Sequence, residues 1–412
     1  PLAISELSPQ RGGRVDDFEE KAGFGVLMAP TTVATPAYDD GVAIPGGDVI
    51  DLTDKLRPDG SLDWQPPKGS WEIVRMGYSP TGTKNHPATP EVTGLEVDKM
   101  NARHVRGHLD AYMAPVLKAL AGQPGLKYLL TDSWEAGVQN WTEDMVAEFR
   151  KRRGYDPTPW FPVLTGRIVE SPQASDKFLW DYRRTIADLI AQDHYGTITN
   201  WAKAHGLGYY GEAVGASWPT IADGIQAKRY TDIPMGEYWA MPFGGVPAAF
   251  QGVPSDEFPA DIEETASTAH LYGKPFVAAE ALTSSLPMYT ATPWNLKWVA
   301  DKYMAMGVNR HVLHTSPHQP GRGNKPGLTL GPFSQTFTRN ETWADMAKPW
   351  ITYLARSSFL LQQGRSVDDI LYFYGEGAPS GVPYREEQSP AIPDGYATDY
   401  IDAEALLSLT SV

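Results

Sequence analysis

The chain has 412 residues, of which 35 are basic and 50 acidic, and its formal net charge is −15. Hydrophobic residues make up 42% of it, which suffices for a sizeable core and excludes a chain that is disordered throughout. The acidic balance argues against a nucleic-acid-binding surface. The absence of cysteine excludes disulfides, cysteine-ligated zinc and thiol nucleophiles. No uncharged stretch approaches the ~20 apolar residues of a membrane span.

Residues 1–84 predict a β-rich module with many proline and glycine turns. Two extended segments on either side of Pro58–Gly60 predict a hairpin. The run Trp71–Tyr78 has the alternating character of a half-exposed strand. This pattern is typical of a small β-sandwich, and we expect it to be inserted in or placed before the domain that follows.

Residues 85–340 alternate predicted helices with short apolar strands. The helices are predicted over 105–121, 142–153, 174–204, 219–228, 259–272 and 295–306, and the strands over 127–132, 207–212, 231–237, 274–280 and 308–314. Alternation of this kind indicates a parallel sheet, so the predicted fold class is α/β with a TIM-like (β/α)8 barrel. Because a closed barrel has eight strands, we expect its other strands to precede Pro1 in a longer protein.

Residues 341–412 predict the start of a further α/β domain. A long helix is predicted over 342–363 and ends at Gly364. The apolar run Val367–Tyr374 predicts a buried parallel strand, and the residues after Asp402 predict the beginning of another helix. We therefore expect a fragment of a longer protein. Its acidic, cysteine-free composition fits a periplasmic or secreted bacterial protein, which we expect, but also a cytosolic one.

Carboxylates follow four of the predicted barrel strands, and they are Asp132 with Glu135, Glu212, Glu237 and Glu280. Because the carboxyl ends of barrel strands converge on one mouth, we expect these side chains to share a cavity. Glycoside hydrolysis needs two carboxyl groups at one bond, and crowding or burial raises the pKa of one carboxyl group and so supplies the acid. Surplus ionised carboxylates can hold a hard cation such as calcium.

Each carboxylate also has a purely structural interpretation. Asp132 stands where a helix N-cap is common, and Glu212 could pair with a buried arginine. Glu237 and Glu280 could belong to ion-pair networks. The polar segments 81–87 and 94–99 are explained by a domain junction as readily as by a ligand contact.

Aromatic residues and a histidine complete the predicted substrate-binding set. Trp134 lies between two acids, which favours a site where a sugar stacks. His314 is interpreted as a hydrogen-bonding wall residue, because Pro317 argues against the helix on which it could form a metal pair with His318. The predicted substrate-binding residues are Asp132, Trp134, Glu212, Tyr238, Trp239 and His314.

Together these residues resemble the α-L-rhamnosidases of glycoside hydrolase family 106. The stretches that carry the resemblance are Pro80–Gly82, Asn85–Pro87, Thr93–Lys99, Leu130–Gly137, Lys274–Ala281, Val308–Pro320 and Leu371–Glu376. The resemblance extends from about residue 45 to the end. Members of this family are much longer and begin their barrel upstream of an inserted β-module.

The resemblance implies inverting hydrolysis of terminal α-L-rhamnose, with calcium in the active site and a rhamnose-containing glycan or glycoside as the partner. It implies that Glu135 is the general acid and that Asp132 is a further site residue. It also implies that Glu280 is the general base, and that Glu237 is a third carboxylate that shares this role or helps to bind the metal.

Two other functions stay open at this point. A retaining β-glycosidase would use Glu212 and Glu280, although Gly211 stands where such enzymes have an asparagine before the acid. A non-catalytic barrel that binds carbohydrate is the second alternative. The separation of the two carboxyl groups distinguishes the mechanisms, because inversion needs ~6.5–9.5 Å and retention ~5 Å.

Overall fold

The computed structural model describes residues 1–8, 12–23, 42–123, 125–214, 220–240, 257–284 and 286–409. Its first elements are strand β1 (Leu2–Glu6), helix α1 (Asp16–Ala22) and strand β2 (Met76–Pro80). β1 and β2 pair in an antiparallel ribbon. The ribbon is tied to the following domain, because the backbone N–H of Ile4 donates to the side chain of Asn140 at 2.8 Å.

The β-sandwich expected over residues 1–84 is absent from the part of this segment that the structure describes. The turn at Pro58–Gly60 is present, but a single isolated bridge joins the segments beside it. Large apolar side chains such as Ile73 remain exposed, so no second sheet built from the described residues covers them.

Residues 102–313 alternate helices and strands. The helices are α2 (Ala102–Leu120), α3 (Met145–Arg153), α4 (Pro172–Leu189), α5 (Thr197–Ala204), α6 (Gly224–Lys228), α7 (Glu257–Leu271) and α8 (Pro293–Ala305). The strands are β3 (Tyr128–Thr131), β4 (Gly208–Gly211), β5 (Ile233–Trp239), β6 (Ala278–Thr283) and β7 (Arg310–Leu313). The first residue of the helix predicted over 219–228 lies outside the described residues.

The five strands β3 to β7 form one parallel sheet in which each strand pairs with the next along the chain. Neighbours in sequence are neighbours in the sheet, as in a TIM-like barrel and unlike a doubly wound sheet. The fold is therefore α/β, and its sheet is consistent with part of a TIM-like barrel, as expected. None of the described helices combines the length and the apolar character needed to cross a membrane.

Local sequence explains the longest helical segment. Ser171 caps α4 by accepting the N–H of Ala174 at 3.1 Å, and Pro172 occupies the first turn, where no N–H is needed. A π-helical turn over 190–196 joins α4 to α5 without leaving helical dihedral angles. The predicted helix over 174–204 is thus a continuous helical segment with one widened turn.

The C-terminal part contains helix α9 (Lys348–Leu361), strand β8 (Ile370–Phe373), strand β9 (Thr398–Ile401) and helix α10 (Ala403–Leu409). α9 begins later than predicted, because Pro349 starts it and 344–346 form a separate 3-10 turn. β8 is parallel, as expected, but it pairs with β9, so this part holds two strands where one was expected. β8 is also half-exposed and not fully buried, since Leu371 and Phe373 face solvent.

Candidate active site

At the carboxyl end of the five-stranded sheet, each strand places one side chain, from the strand or from the residue just after it, on the same face. Alternate residues of a strand share a face, and Glu237 is in register with Glu280 on the neighbouring strand. The residues placed on this face are Asp132, Glu212, Glu237, Glu280 and His314. We call the four acidic members the carboxylate layer. An apolar floor that includes Tyr210, Met235 and Ala278 lies one layer deeper.

The carboxylate layer is crowded. One carboxylate oxygen from each of Asp132, Glu212 and Glu280 lies within 4.8 Å of the other two. The charge of Glu280 acts on Glu237, and the charge of Glu135 acts on Glu280. The structure therefore brings together all five carboxylates that were predicted from the ends of the strands.

Burial and mutual repulsion keep protons on this layer. Glu212 is only 1% exposed, and burial together with the charges of its neighbours raises its pKa well above the usual value. Burial raises the pKa of Glu237 to about 8, although a hydrogen bond from Trp239 opposes the shift. Burial and the Asp132 charge raise the pKa of Glu280 to about 7. Without a cation, the layer is thus partly protonated at neutral pH.

Thr283 connects Glu280 to His314. Its hydroxyl donates to Oε1 of Glu280 at 3.3 Å and lies 3.0 Å from Nδ1 of His314. Burial lowers the pKa of His314, and the opposing effect of the Asp132 charge does not restore it. His314 is therefore a neutral side chain at the wall of the site, in keeping with its predicted hydrogen-bonding position. Thr283 itself carried no signal in the sequence beyond its place three residues after Glu280.

Glu135 lies at the open rim of the site, on the loop after β3. Its side chain is 39% exposed, and it accepts a hydrogen bond from the Ser133 hydroxyl at 2.8 Å. Nδ1 of His86 lies 3.9 Å from its other oxygen. His86 belongs to the polar segment 81–87, which the sequence alone explained equally well as a domain junction. The proximity to Glu135 makes His86 a site residue that sequence reasoning missed.

Aromatic side chains form one wall beside Glu237. The indole N–H of Trp239 donates to Oε1 of Glu237. The Trp239 ring meets Phe333 edge-on with centroids 5.8 Å apart, and Phe333 lies 6.4 Å from the ring of His314. Phe333 comes from a loop distant in sequence and stands in no motif, so nothing in the sequence singled it out.

Tyr238, one of the predicted substrate-binding residues, lies on the opposite face of the sheet. It is fully buried, stacks on Tyr303 of α8 at 4.2 Å between centroids, and its hydroxyl lies 2.8 Å from Nδ1 of His311. Because successive residues of a strand point to opposite faces, Tyr238 cannot share a face with Glu237. Its position is a core position, and the expectation that it lines the site is corrected.

Trp134 is almost fully buried beneath the rim, so its ring is not open for a sugar to stack on it, and that expectation is corrected. It is 3% exposed, and its indole N–H donates to the carbonyl oxygen of Gly137 at 2.9 Å. It lines a cavity of about 370 Å³ together with Asp132, Glu135 and His86. This volume falls within the ~300–1,000 Å³ of typical ligand pockets. Of the carboxylate layer, Asp132 alone lines this cavity. The cavity therefore lies beside the layer, and the site has carboxyl groups in different environments, as glycoside hydrolysis requires.

Comparisons with known proteins point to the same chemistry. The sequence model of a family described as alpha-L-rhamnosidase matches residues 2–412. A protein of Formosa agariphila, provisionally named a beta-glucuronidase, is 36% identical over 374 residues, which are 90% of this chain and 30% of that protein. The solved structure of a rhamnosidase from Novosphingobium sp. PP1Y matches with a TM-score of 0.80 and 42% identity, over 95% of this chain and 37% of that chain. This chain therefore spans about a third of the length of these relatives.

Proposed function

The chain belongs to the glycoside hydrolase family 106 α-L-rhamnosidases, and on that premise we propose that its site removes terminal α-L-rhamnose from a glycan or glycoside. The observation that carries the proposal is the convergence of Glu135 with the carboxylate layer beside a cavity of ligand size. The partner is a rhamnose-containing glycan or glycoside met outside the cytoplasm, since the composition fits a periplasmic or secreted bacterial protein.

Glu135 is the proposed general acid. Its place at the open rim lets it reach the oxygen of a leaving group that extends towards solvent. The hydroxyl of Ser133 orients its carboxyl group, and His86 stands beside it. The proton that Glu135 gives to the glycosidic oxygen allows the bond to the sugar to break without releasing an alkoxide.

Glu280 is the proposed general base. Before a cation binds, burial and the Asp132 charge raise its pKa to about 7. A bound cation would lower that pKa, so Glu280 would be ionised and able to take a proton from water at neutral pH. Thr283 holds one of its oxygens, which leaves the other to accept the proton. Water activated on the face opposite the leaving group inverts the anomeric centre. Glu237 shares this role or helps to bind a cation.

Calcium is proposed as the cofactor, and the donor set fits it. The three oxygens within 4.8 Å of one another belong to Asp132, Glu212 and Glu280. Oε2 of Glu212 is buried and has no hydrogen-bond partner among the described residues. Calcium takes oxygen ligands at ~2.3–2.6 Å, and carboxylates that repel one another are stabilised by a shared cation. Bound calcium would balance the charge of the layer and offer coordination positions to sugar hydroxyls.

The retaining alternative is less favoured than inversion. Glu212 and Glu280 do approach each other as closely as a nucleophile and an acid in a retaining enzyme. Glu212, however, is 1% exposed and lies too deep to meet a glycosidic oxygen.

A glucuronide is likewise less favoured, because it would add a carboxylate to an acidic site. Among the described residues that line the cavity, Lys99 is the one permanent cation, and it is paired with Glu96 at 2.8 Å.

Leaving-group dependence tests the proposal. Wild type, Glu135→Gln and Glu280→Gln are assayed on nitrophenyl and dinitrophenyl α-L-rhamnosides and on nitrophenyl β-D-glucuronide. Glu135→Gln should lose ~10²–10⁴-fold on the nitrophenyl rhamnoside and much less on the dinitrophenyl one, whose leaving group needs no proton. Glu280→Gln should lose activity equally on both.

The matched control is Glu143→Gln, which changes an exposed glutamate outside the site and should behave as wild type. Equal sensitivity of Glu135→Gln to both rhamnosides would remove Glu135 from the acid role. Turnover of the glucuronide alone would replace the proposed substrate, and turnover of none of these substrates would leave the non-catalytic alternative.

A further inference from the structure

A buried ion cluster lies behind β5, on the side of the sheet covered by helices. It consists of Lys228 at the end of α6 and of Asp261 and Glu264 on α7, and all three are almost fully buried. The Lys228 ammonium donates to Oδ1 of Asp261 and lies 3.1 Å from Glu264. Burial alone would lower the pKa of Lys228, but the two carboxylates more than reverse this. Lys228 is thus charged, and it stabilises Asp261 as a buried anion.

The second carboxylate oxygen of Asp261 contacts the main chain of the active-site strand. Oδ2 accepts the backbone N–H of Glu237 at 2.7 Å. This contact requires Gly236, because a Cβ there would lie 2.7 Å from that oxygen and 2.8 Å from the hydroxyl of Thr265. At Gly236, which has no side chain, the backbone of β5 therefore packs directly against α7. The charge-assisted hydrogen bond from the Glu237 N–H to Asp261 stabilises this contact.

We infer that Asp261 is a positioning residue, which fixes the main chain at Glu237 and thereby the place of that carboxylate within the site. The inference rests on the proposed function, in which Glu237 acts beside Glu280. The indole of Trp239 holds the carboxylate itself, so Glu237 is fixed both at its N–H and at its Oε1. Precise placement matters because a displacement of ~1 Å in an active site can cost ~10²-fold in rate.

Two residues of the C-terminal part contact this ion cluster and the buried carboxylate next to it. The backbone N–H of Val382 donates to Oε2 of Glu264 at 3.3 Å. Tyr374 donates to the neighbouring buried carboxylate of Asp223 at 2.6 Å. Because these contacts help to exclude water, the pair of Lys228 and Asp261 lies in a medium of low dielectric, where its attraction is strong.

The test compares two isosteric variants of the same cluster, Asp261→Asn and Glu264→Gln. Each replaces a carboxyl group that contacts Lys228 by an amide, but only Asp261 contacts Glu237. In Asp261→Asn, Lys228 and the Glu237 N–H compete for the single remaining oxygen. We expect Asp261→Asn to lower Tm. Asp261→Asn should also lower kcat by ~10- to 100-fold with little change in KM, whereas Glu264→Gln should keep the kcat of wild type.

Amide hydrogen exchange provides a readout that is independent of activity. The Glu237 amide should exchange faster in Asp261→Asn and at the wild-type rate in Glu264→Gln. If Asp261→Asn does not fold, Gly236→Ala takes its place, because it changes none of the side chains of the ion cluster and crowds the contact of β5 with Asp261 and Thr265.

An unchanged kcat and unchanged exchange in a folded Asp261→Asn would overturn the inference, as would an equal loss of kcat in both cluster variants. If wild type turns over no rhamnoside, the proposed function fails, while the exchange rates still decide whether Asp261 holds the main chain at Glu237.

Discussion

Replacing Glu280 by glutamine should make the protein more stable and inactive at the same time. Burial and the Asp132 charge raise the pKa of Glu280 from its usual 4.5 to about 7. Between these two values the unfolded chain is ionised while the folded protein keeps its proton, so stability falls as the pH rises through this window. At 1.36 kcal/mol for each pKa unit, the full penalty is about 3 kcal/mol. A glutamine avoids this penalty.

Urea unfolding of wild type and Glu280→Gln, in a calcium chelator from about pH 4.5 to about pH 8, measures the effect. The two curves should coincide at the acidic end, and the variant should be more stable by about 3 kcal/mol at pH 7 and above. Glu143→Gln, an exposed control, should stay within ~1 kcal/mol of wild type throughout. Added calcium should stabilise wild type more than the variant. A variant that is less stable than wild type at about pH 8, or a gap that does not change with pH, would refute the reasoning.

Three further outcomes are expected. Trp239→Phe removes the indole N–H that lowers the pKa of Glu237, so the pKa of Glu237 should rise above about 8. Carbon-13 NMR of the labelled Glu237 carboxyl group measures this pKa, and an unchanged pKa would contradict the prediction. Calcium affinity, measured by calorimetry, should increase with pH and level off above about pH 8, because protons compete for the same carboxylates; a pH-independent affinity would exclude the carboxylate layer as the ligand set. Burial lowers the pKa of His270, but the carboxylates of Asp399 and Asp368 more than reverse this and raise it. The stabilisation by His270 is therefore complete below its unfolded pKa of about 6.5, and it disappears as the pH rises through the pKa of the folded protein. His270→Gln should thus lower Tm at about pH 6 and have less effect at about pH 9. An equal decrease in Tm at both pH values would contradict this prediction.

The sheet and the carboxylate layer could be predicted because both follow from local pattern. Short apolar runs that alternate with amphipathic helices define β3 to β7. Because alternate residues of a strand point to the same face of the sheet, the carboxylates that follow these runs share one face. Glu237 and Glu280 are therefore found in register on neighbouring strands. The same alternation explains why the prediction for Tyr238 was wrong, because Tyr238 is a single position from Glu237 and so faces the core.

Other parts of the site depend on contacts between distant segments. His86 reaches Glu135 and Phe333 reaches Trp239 across long stretches of chain, and neither segment has a pattern that encodes its destination. Asp261 is a comparable case, since a carboxylate on a helix gives no sign that it will bond to the backbone of a strand. The β-sandwich predicted over residues 1–84 is not confirmed, because among the described residues of this segment only β1 and β2 pair as strands.

The stereochemistry of the first product tests the central claim most directly, namely that Glu135 and Glu280 act as acid and base on either side of one glycosidic bond. Proton NMR during hydrolysis of a nitrophenyl α-L-rhamnoside identifies the anomer of rhamnose that forms before mutarotation. β-L-rhamnose as the first anomer is the predicted result, because water attacks opposite the leaving group. α-L-rhamnose as the first anomer would contradict the account and indicate a carboxylate nucleophile.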